Sequence, residues 1–75
     1  MFHVTLRKAE QIRRYSISML DGFGWEVTVE AEGHRRHIVY DDWHRVERAL
    51  AIFRLEVSEL TEHGWRQIGP AASRA

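Results

Sequence analysis

The feature that most constrains the fold of this chain is an alternation of apolar and polar residues that recurs in four short segments. The segments cover residues 2–7, 14–19, 25–32 and 35–40. A period of two places every second side chain on the same face, which is typical of a strand with one buried face. Asp21-Gly22-Phe23-Gly24 and Gly33 supply turns between them, because glycine adopts positive φ without steric cost. The pattern predicts an antiparallel meander.

The register of this meander follows from the side chains that it brings together. Placing Met19 opposite Trp25 aligns apolar residues on one face and sets Arg14 against Glu30 on the other. In the next hairpin, a two-residue Gly33-His34 loop also places apolar residues opposite each other on one face and opposite charges on the other. The predicted pairs there are Glu32 with Arg35, Glu30 with His37, Val29 with Ile38 and Val27 with Tyr40. The pattern leaves open the conformation of residues 8–11 and the place of the first strand in the sheet.

A single long helix is predicted over residues 42–63. Its apolar stripe, spaced by three and four, consists of Trp43, Val46, Leu50, Phe53, Val57 and Leu60. Asp41 or Asp42 suits the N-cap, and Gly64 with Trp65 suits a Schellman C-terminus. At about 1.5 Å per residue, the helix is roughly 33 Å long and can cover the apolar face of a sheet.

These elements predict an α+β fold, in which an antiparallel meander of three to four strands is followed by one long C-terminal helix packed on one face. Residues 1–68 are expected to form one compact domain, and residues 69–75 a flexible tail with little to bury. The predicted core is Tyr15, Ile17, Trp25, Val27, Val29, Ile38, Val46, Leu50, Phe53 and Val57.

Composition narrows the class of protein. Seventy-five residues suit one small domain with a thin core, and the absence of cysteine excludes disulfides and thiolate zinc sites. The 11 Lys and Arg balance the 11 Asp and Glu, which argues against strong sequence-independent nucleic-acid binding. No apolar run approaches the roughly 18 residues of a membrane span, and no signal-peptide pattern opens the chain. We therefore expect a cytoplasmic protein with no membrane partner.

Basic residues gather at the last strand and the start of the helix, in the stretch EGHRRHIVYDDWHR at residues 32–45. On the helix, arginines come first and glutamates later, which opposes the macrodipole and is not explained by helix stability. This predicts a surface for an anion or a nucleic acid. Its candidate residues are Arg35, Arg36, His37, His44, Arg45 and Arg48. The alternative is a solvated face with ion pairs that each contribute little.

Metal binding and catalysis are not predicted. His34 and His37 point to opposite faces of a strand, so they cannot share an ion without a bend. Ser16 and Ser18 lie on a strand and not on a nucleophile elbow, and Gly22 and Gly24 open a hairpin and not a phosphate-binding helix. We therefore expect a protein that is not an enzyme and has no metal or cofactor.

A partner surface is predicted on the helix. The candidate residues are Trp43, Ile52 and Leu55. Ile52 and Leu55 lie off the main stripe, on a flank of the helix that the sheet leaves exposed to solvent. A thin core favours a homodimer through this flank, with the unpaired first strand at residues 2–8 as a second contact. A different protein is the other expected partner.

The order of elements resembles the WGR family, small domains with an antiparallel sheet followed by a long helix. The resemblance covers about residues 13–67. The matching features are Arg14-Tyr15-Ser16-Ile17, Gly24-Trp25, the helix with Ala49 and Phe53, and Gly64-Trp65. Where the family has its Trp-Gly-Arg tripeptide, this chain has Ala31-Glu32-Gly33.

Two hypotheses on function follow. The WGR resemblance implies nucleic-acid binding, and the residues for it would be the basic ones at the last strand and helix start. The sheet-plus-helix pattern also resembles HicB-type antitoxins, which implies a protein-binding module. Together with the balanced charge, it favours a small protein-interaction or self-association module.

Overall fold

The computed structural model of the protein describes residues 1–68, so the predicted tail at residues 69–75 lies outside the described residues. The elements in chain order are β1 (Phe2–Lys8), β2 (Gln11–Met19), β3 (Trp25–Ala31), β4 (His34–Tyr40), α1 (Trp43–Glu62) and β5 (Arg66–Ile68). The strands form one sheet in the order β4-β3-β2-β1-β5, in which each neighbouring pair is antiparallel. The predicted α+β class is confirmed.

The sheet has a fifth strand that the sequence analysis did not predict. After α1, the chain turns at Gly64 and runs back along β1, where Leu6 lies opposite Gln67. The first strand is therefore paired on both sides over part of its length. This corrects the expectation that residues 2–8 form an unpaired edge.

A tight turn joins β1 to β2 and resolves the conformation of residues 8–11. Lys8 pairs with Gln11, and Ala9 and Glu10 form a two-residue loop. Ala9 adopts a φ of 56°, the left-handed conformation that two-residue hairpins require. The sequence offered no glycine there to signal the turn.

The hairpin between β3 and β4 differs from the predicted register by two residues. The loop is Glu32-Gly33 and not Gly33-His34, so Ala31 pairs with His34 and Glu30 with Arg35. The loop residues have φ values of 54° and 80°, because a type I′ turn needs positive φ at both central positions. A shift of two keeps every side chain on its predicted face. Only the partners change.

Helix α1 packs across one face of the sheet from corner to corner. At its N-terminus Trp43 packs against Trp25 on β3, with ring centroids 5.4 Å apart and the rings tilted by 52°. At its C-terminus the His63 carbonyl accepts a hydrogen bond of 2.9 Å from Lys8 at the end of β1. Asp42 is the N-cap and accepts a bond of 3.0 Å from the His44 N–H. This places the whole apolar stripe of α1 over the sheet.

The C-terminus of α1 is a Schellman motif, as predicted. The Trp65 N–H donates to the Leu60 carbonyl at 3.0 Å and the Gly64 N–H to the Thr61 carbonyl at 3.3 Å. Gly64 has a φ of 97°, which a side chain would strain. The motif reverses the chain, buries Trp65 and directs the next residues onto β1.

The buried core lies between α1 and the central strands. Its members are Leu6, Tyr15, Ile17, Val27, Val46, Phe53 and Trp65. Phe53 is the central contact, because its ring lies 5.0 Å from the Tyr15 ring and 6.1 Å from the Phe2 ring. Of the predicted core, Trp25, Val29, Leu50 and Val57 are partly buried and pack against this cluster.

One predicted core residue is wrong. Ile38 is 41% exposed, because α1 starts near the C-terminal end of β4 and crosses towards β1. The part of β4 before Tyr40 is therefore left uncovered. Arg36 lies on the same face as Ile38, opposite Val29, and it is also exposed.

A buried tyrosine links the core to the flank of the helix. The Tyr15 hydroxyl donates to Oε1 of Glu56 at 3.0 Å and accepts from Nη1 of Arg13 at 3.4 Å. Burial raises the pKa of Tyr15 above its ordinary value of 10.0, and Glu56 adds to the rise whereas Arg13 opposes it.

We expect Phe53→Ala to lower the free energy of unfolding by about 3–5 kcal/mol, because it opens a cavity among aromatic rings. Urea unfolding followed by circular dichroism measures this. Leu55→Ala is the matched control, since Leu55 is 67% exposed on the same helix and should cost under about 0.5 kcal/mol. Equal effects of the two substitutions would contradict the packing described above.

We expect alkaline pH to destabilise the protein in part through Tyr15. Because its folded-state pKa is raised, the stabilisation is complete below about pH 10 and is lost as the pH rises through the folded-state value. Unfolding free energies at about pH 8 and about pH 11 measure the loss. The loss should be smaller in Tyr15→Phe, and an identical loss in the variant would remove Tyr15 as its source.

Candidate interaction surfaces

The six basic residues predicted to form one patch lie on different surfaces. Because side chains alternate along β4, Arg35 and His37 point to the face of the sheet that α1 leaves open. Arg36 points to the opposite face, the one on which α1 packs, and it is exposed. His44, Arg45 and Arg48 lie on α1, where His44 is separated from Arg45 by about 100° around the helix axis. The predicted patch does not form a continuous surface.

The basic residues on the open face have acidic neighbours. Nε2 of His37 lies within hydrogen-bond distance of Oε2 of Glu26. Arg35 lies opposite Glu30, which also forms an ion pair of 3.4 Å with Arg14. Cross-strand pairs of this kind stabilise a sheet only slightly and leave little excess charge for a ligand. This part of the patch is therefore explained by the sheet itself.

The helix arginines border a shallow groove between α1 and β4, which we call the β4–α1 groove. Its lining residues are Tyr40, Arg45, Arg48, Ala49 and Ile52. Ile52 is 47% exposed in this groove, and no carboxylate belongs to the lining in the described part of the chain. The groove therefore combines apolar side chains with two cations.

The three residues predicted to form a partner surface on α1 are also separated. Trp43 and Ile52 are nine residues apart, which places them about half a turn from each other on the helix surface. Trp43 packs on Trp25, Ile52 lies in the β4–α1 groove, and Leu55 points away from the sheet. Of the three, Ile52 shares a groove with an element at the edge of the sheet.

That element is β4, the open edge of the sheet beside α1. A two-residue loop makes Ala31 and His34 a hydrogen-bonded pair, and such pairs alternate along an antiparallel ladder. It follows that the backbone N–H and C=O groups of Arg35, His37 and Val39 point away from β3. We call this row of outward groups the β4 edge.

Exposed apolar side chains lie in the second half of β4, after the basic residues of its first half. Ile38 and Val39 are 41% and 55% exposed, on opposite faces of β4. Natural edge strands are often protected by charged side chains, by proline, by a bulge or by shortness. β4 has Arg35 and Arg36 in its first half, but it is seven residues long without a proline and its second half has no charged residue. The β4 edge and the β4–α1 groove meet at Tyr40, so they form one continuous candidate interaction surface.

Sequence reasoning missed this surface because it assigned Ile38 to the core. The available signal was the position of β4 as the last strand of the meander, which leaves it without a later strand as a neighbour. The helix that follows it starts near Tyr40 and moves away towards β1. Strand order, and not residue type, determines which apolar residues stay exposed.

Residues 1–68 contain neither a metal-binding cluster nor a membrane-spanning helix. No group of three or more His, Asp or Glu side chains there is arranged to hold a metal ion. None of the described residues belongs to a helix with the length and apolar character needed to cross a membrane.

Comparison with known proteins finds no family model, no curated protein and no solved structure that matches this chain. The resemblance to WGR domains and to HicB-type antitoxins therefore stays a hypothesis drawn from the order of the elements.

Proposed function

We propose that this protein is a small, non-enzymatic self-association module that pairs with a second copy of itself through the β4 edge. The observation that supports this is an open seven-residue strand with outward backbone groups and exposed apolar side chains. An extended segment that adds to such an edge satisfies those groups and gains affinity from main-chain hydrogen bonds. A second copy carries the same edge, and a two-fold axis lets each pair with the other.

One antiparallel register suits this pairing. The outward residues Arg35, His37 and Val39 must lie opposite outward residues of the second copy, because these carry the free N–H and C=O groups. Three registers near the middle of β4 meet this condition, with residue 36, 37 or 38 on the two-fold axis. With Ile38 on the two-fold axis, Ile38 forms an apolar contact with Ile38 of the second copy. Arg36 then lies opposite Tyr40 of the second copy, where a cation–π contact can form. The same register brings Arg35 opposite Asp41 just beyond the strand end. Opposite charges therefore meet at both ends of the interface.

The two neighbouring registers are less favourable. One places Arg36 directly opposite Arg36 of the second copy, and like charges in that position are destabilising. The other places His37 opposite His37 and separates Arg35 from Asp41. The register centred on Ile38 is therefore the one that we propose.

The β4–α1 groove lies beside this interface. In a continuous sheet made by two copies, both α1 helices lie on the same side, and Ile52 of each faces the joined edge. Burial of Ile38 and Ile52 removes exposed apolar surface, which adds about 25 cal/mol per Å² to the stability of the pair. A β4 edge pair thus uses residues from both the strand and the helix.

We expect the sedimentation coefficient of the wild-type protein to rise with concentration from micromolar to millimolar, as a monomer–dimer equilibrium requires. Ile38→Lys should stay monomeric over the same range, since it places two ammonium groups on the axis. Leu55→Lys is the matched control and should associate like the wild type, because Leu55 points away from the β4 edge. Circular dichroism verifies that each variant is folded.

Amide hydrogen exchange locates the contact. In dilute protein the amides of Arg35, His37 and Val39 should exchange much faster than those of Arg36 and Ile38, which bond to β3. At high concentration the first set should become protected. A dimer whose outward β4 amides stay unprotected would contradict the proposed interface, and a strictly monomeric wild type would contradict self-association.

Nucleic-acid binding is the second candidate function, and the cations beside the β4–α1 groove are the observation that favours it. Arg36, Arg45 and Arg48 lie on the same side of the molecule. If they bind phosphates, titration with short DNA or RNA should show an affinity that falls as salt rises, and Arg45→Gln with Arg48→Gln should weaken it. No binding at low salt would exclude this function.

A further inference from the structure

A second group of basic residues lies at the opposite edge of the sheet, where β5 returns along β1. Arg7, Lys8 and Arg66 line an open depression together with Ala9, Gly64, Gln67 and Ile68. None of these lining residues is acidic. This group was not predictable from residue patterns, because Arg66 is far from Arg7 in the chain and the unpredicted β5 brings them together.

Arg7 and Arg66 lie directly opposite each other on neighbouring strands and on the same face of the sheet. The Cβ atoms of such cross-strand partners are about 4.5–5.5 Å apart, and like charges in this position are destabilising. Both residues are exposed, so solvent screens part of the repulsion. A pair that a sheet would ordinarily avoid is thus held in place by the return of the chain after α1.

Local hydrogen bonds orient two of the three cations. Nε of Arg7 donates to the Ala9 carbonyl at 2.9 Å, which leaves its terminal nitrogens free to donate elsewhere. Nζ of Lys8 donates to the His63 carbonyl at 2.9 Å, so its charge partly offsets the negative end of α1. The uncompensated positive charge therefore belongs to the two guanidinium groups.

We propose that Arg7 and Arg66 bind a phosphate group, as free phosphate or as the terminal phosphate of a small ester or diphosphate. A tetrahedral dianion accepts hydrogen bonds from both guanidinium groups at once, and planar guanidinium forks suit phosphate oxygens. Its charge also removes the repulsion between the two arginines. Gly64 lines the depression, and its φ of 97° is a conformation that a side chain would strain.

The site is independent of the proposed self-association, because β5 and β4 form opposite edges of the sheet. The dimerisation variant Ile38→Lys should bind phosphate like the wild type. Loss of one property without the other shows which of the two proposals has failed.

Titration of the ¹⁵N-labelled protein at constant ionic strength tests the site, with sodium phosphate, pyrophosphate and adenosine diphosphate as separate probes and sodium chloride as the reference. We expect saturable chemical-shift changes at the amides of Arg7, Gly64 and Arg66. Saturation with phosphate or pyrophosphate alone identifies a free-anion site. Stronger binding of the nucleotide identifies a site for an esterified phosphate. No saturable change with any probe overturns the proposal.

Arg66→Gln should abolish the saturable change, and Arg54→Gln on α1 should retain it, because Arg54 does not line the depression. Arg7→Gln serves as a second variant that removes the other guanidinium group. Equal binding by the wild type and both variants would overturn the proposal, since the phosphate would then bind elsewhere.

Thermal unfolding gives a second test, because Arg66→Gln should have opposite effects on relative stability without and with phosphate. At low salt and without phosphate, Arg66→Gln should melt at the same temperature as the wild type or higher, because it removes a like-charge pair. With phosphate at about ten times its dissociation constant, the equilibrium constant for folding of the wild type should rise about tenfold. That of the variant should stay unchanged. General salt stabilisation raises both proteins equally, and that result would count against the site.

Discussion

Burial of one face of a five-stranded sheet beneath α1 is the contact on which the rest of the molecule depends. The strands supply apolar side chains with a period of two and the helix supplies a stripe with spacings of three and four. These two patterns meet around Phe53, whose ring contacts residues from two different strands. The domain is small, and the loss of one such contact takes away a large share of its stability. The strand edges and the helix flank are positioned by this one layer of packing.

The direction of α1 over the sheet determines what remains exposed. The helix starts near Trp25 and ends near Lys8, so it crosses the sheet diagonally and leaves β4 before Tyr40 uncovered. Ile38 and Ile52 are exposed on either side of the uncovered region. A helix parallel to the strands would have covered a different set of residues. The proposed β4 edge contact is therefore a consequence of the crossing angle.

Residue patterns predicted the faces of the sheet better than its connections. Parity assigned Val27, Ile17 and Tyr15 to the buried face correctly, and a register error of two residues left that assignment intact. The caps of α1 were also predictable, since Asp42, Gly64 and Trp65 act through local geometry. β5 was not predictable, because its three residues show no periodicity and its pairing depends on where the Schellman motif directs the chain. The separation of the basic residues likewise depends on tertiary structure, since adjacent residues such as Arg35 and Arg36 point to opposite faces of a strand.

The pairing of β5 with β1 has a consequence for the order of folding. The β1–β2, β2–β3 and β3–β4 hairpins join residues that are close in the chain, so each closes a short loop at low entropic cost. The β1–β5 pair joins Thr5 to Ile68 and closes a loop that spans nearly the whole described chain. We therefore expect that strand pair to form late on the folding pathway, after the helix has packed. During synthesis, one side of β1 stays unpaired until residues 66–68 have left the ribosome.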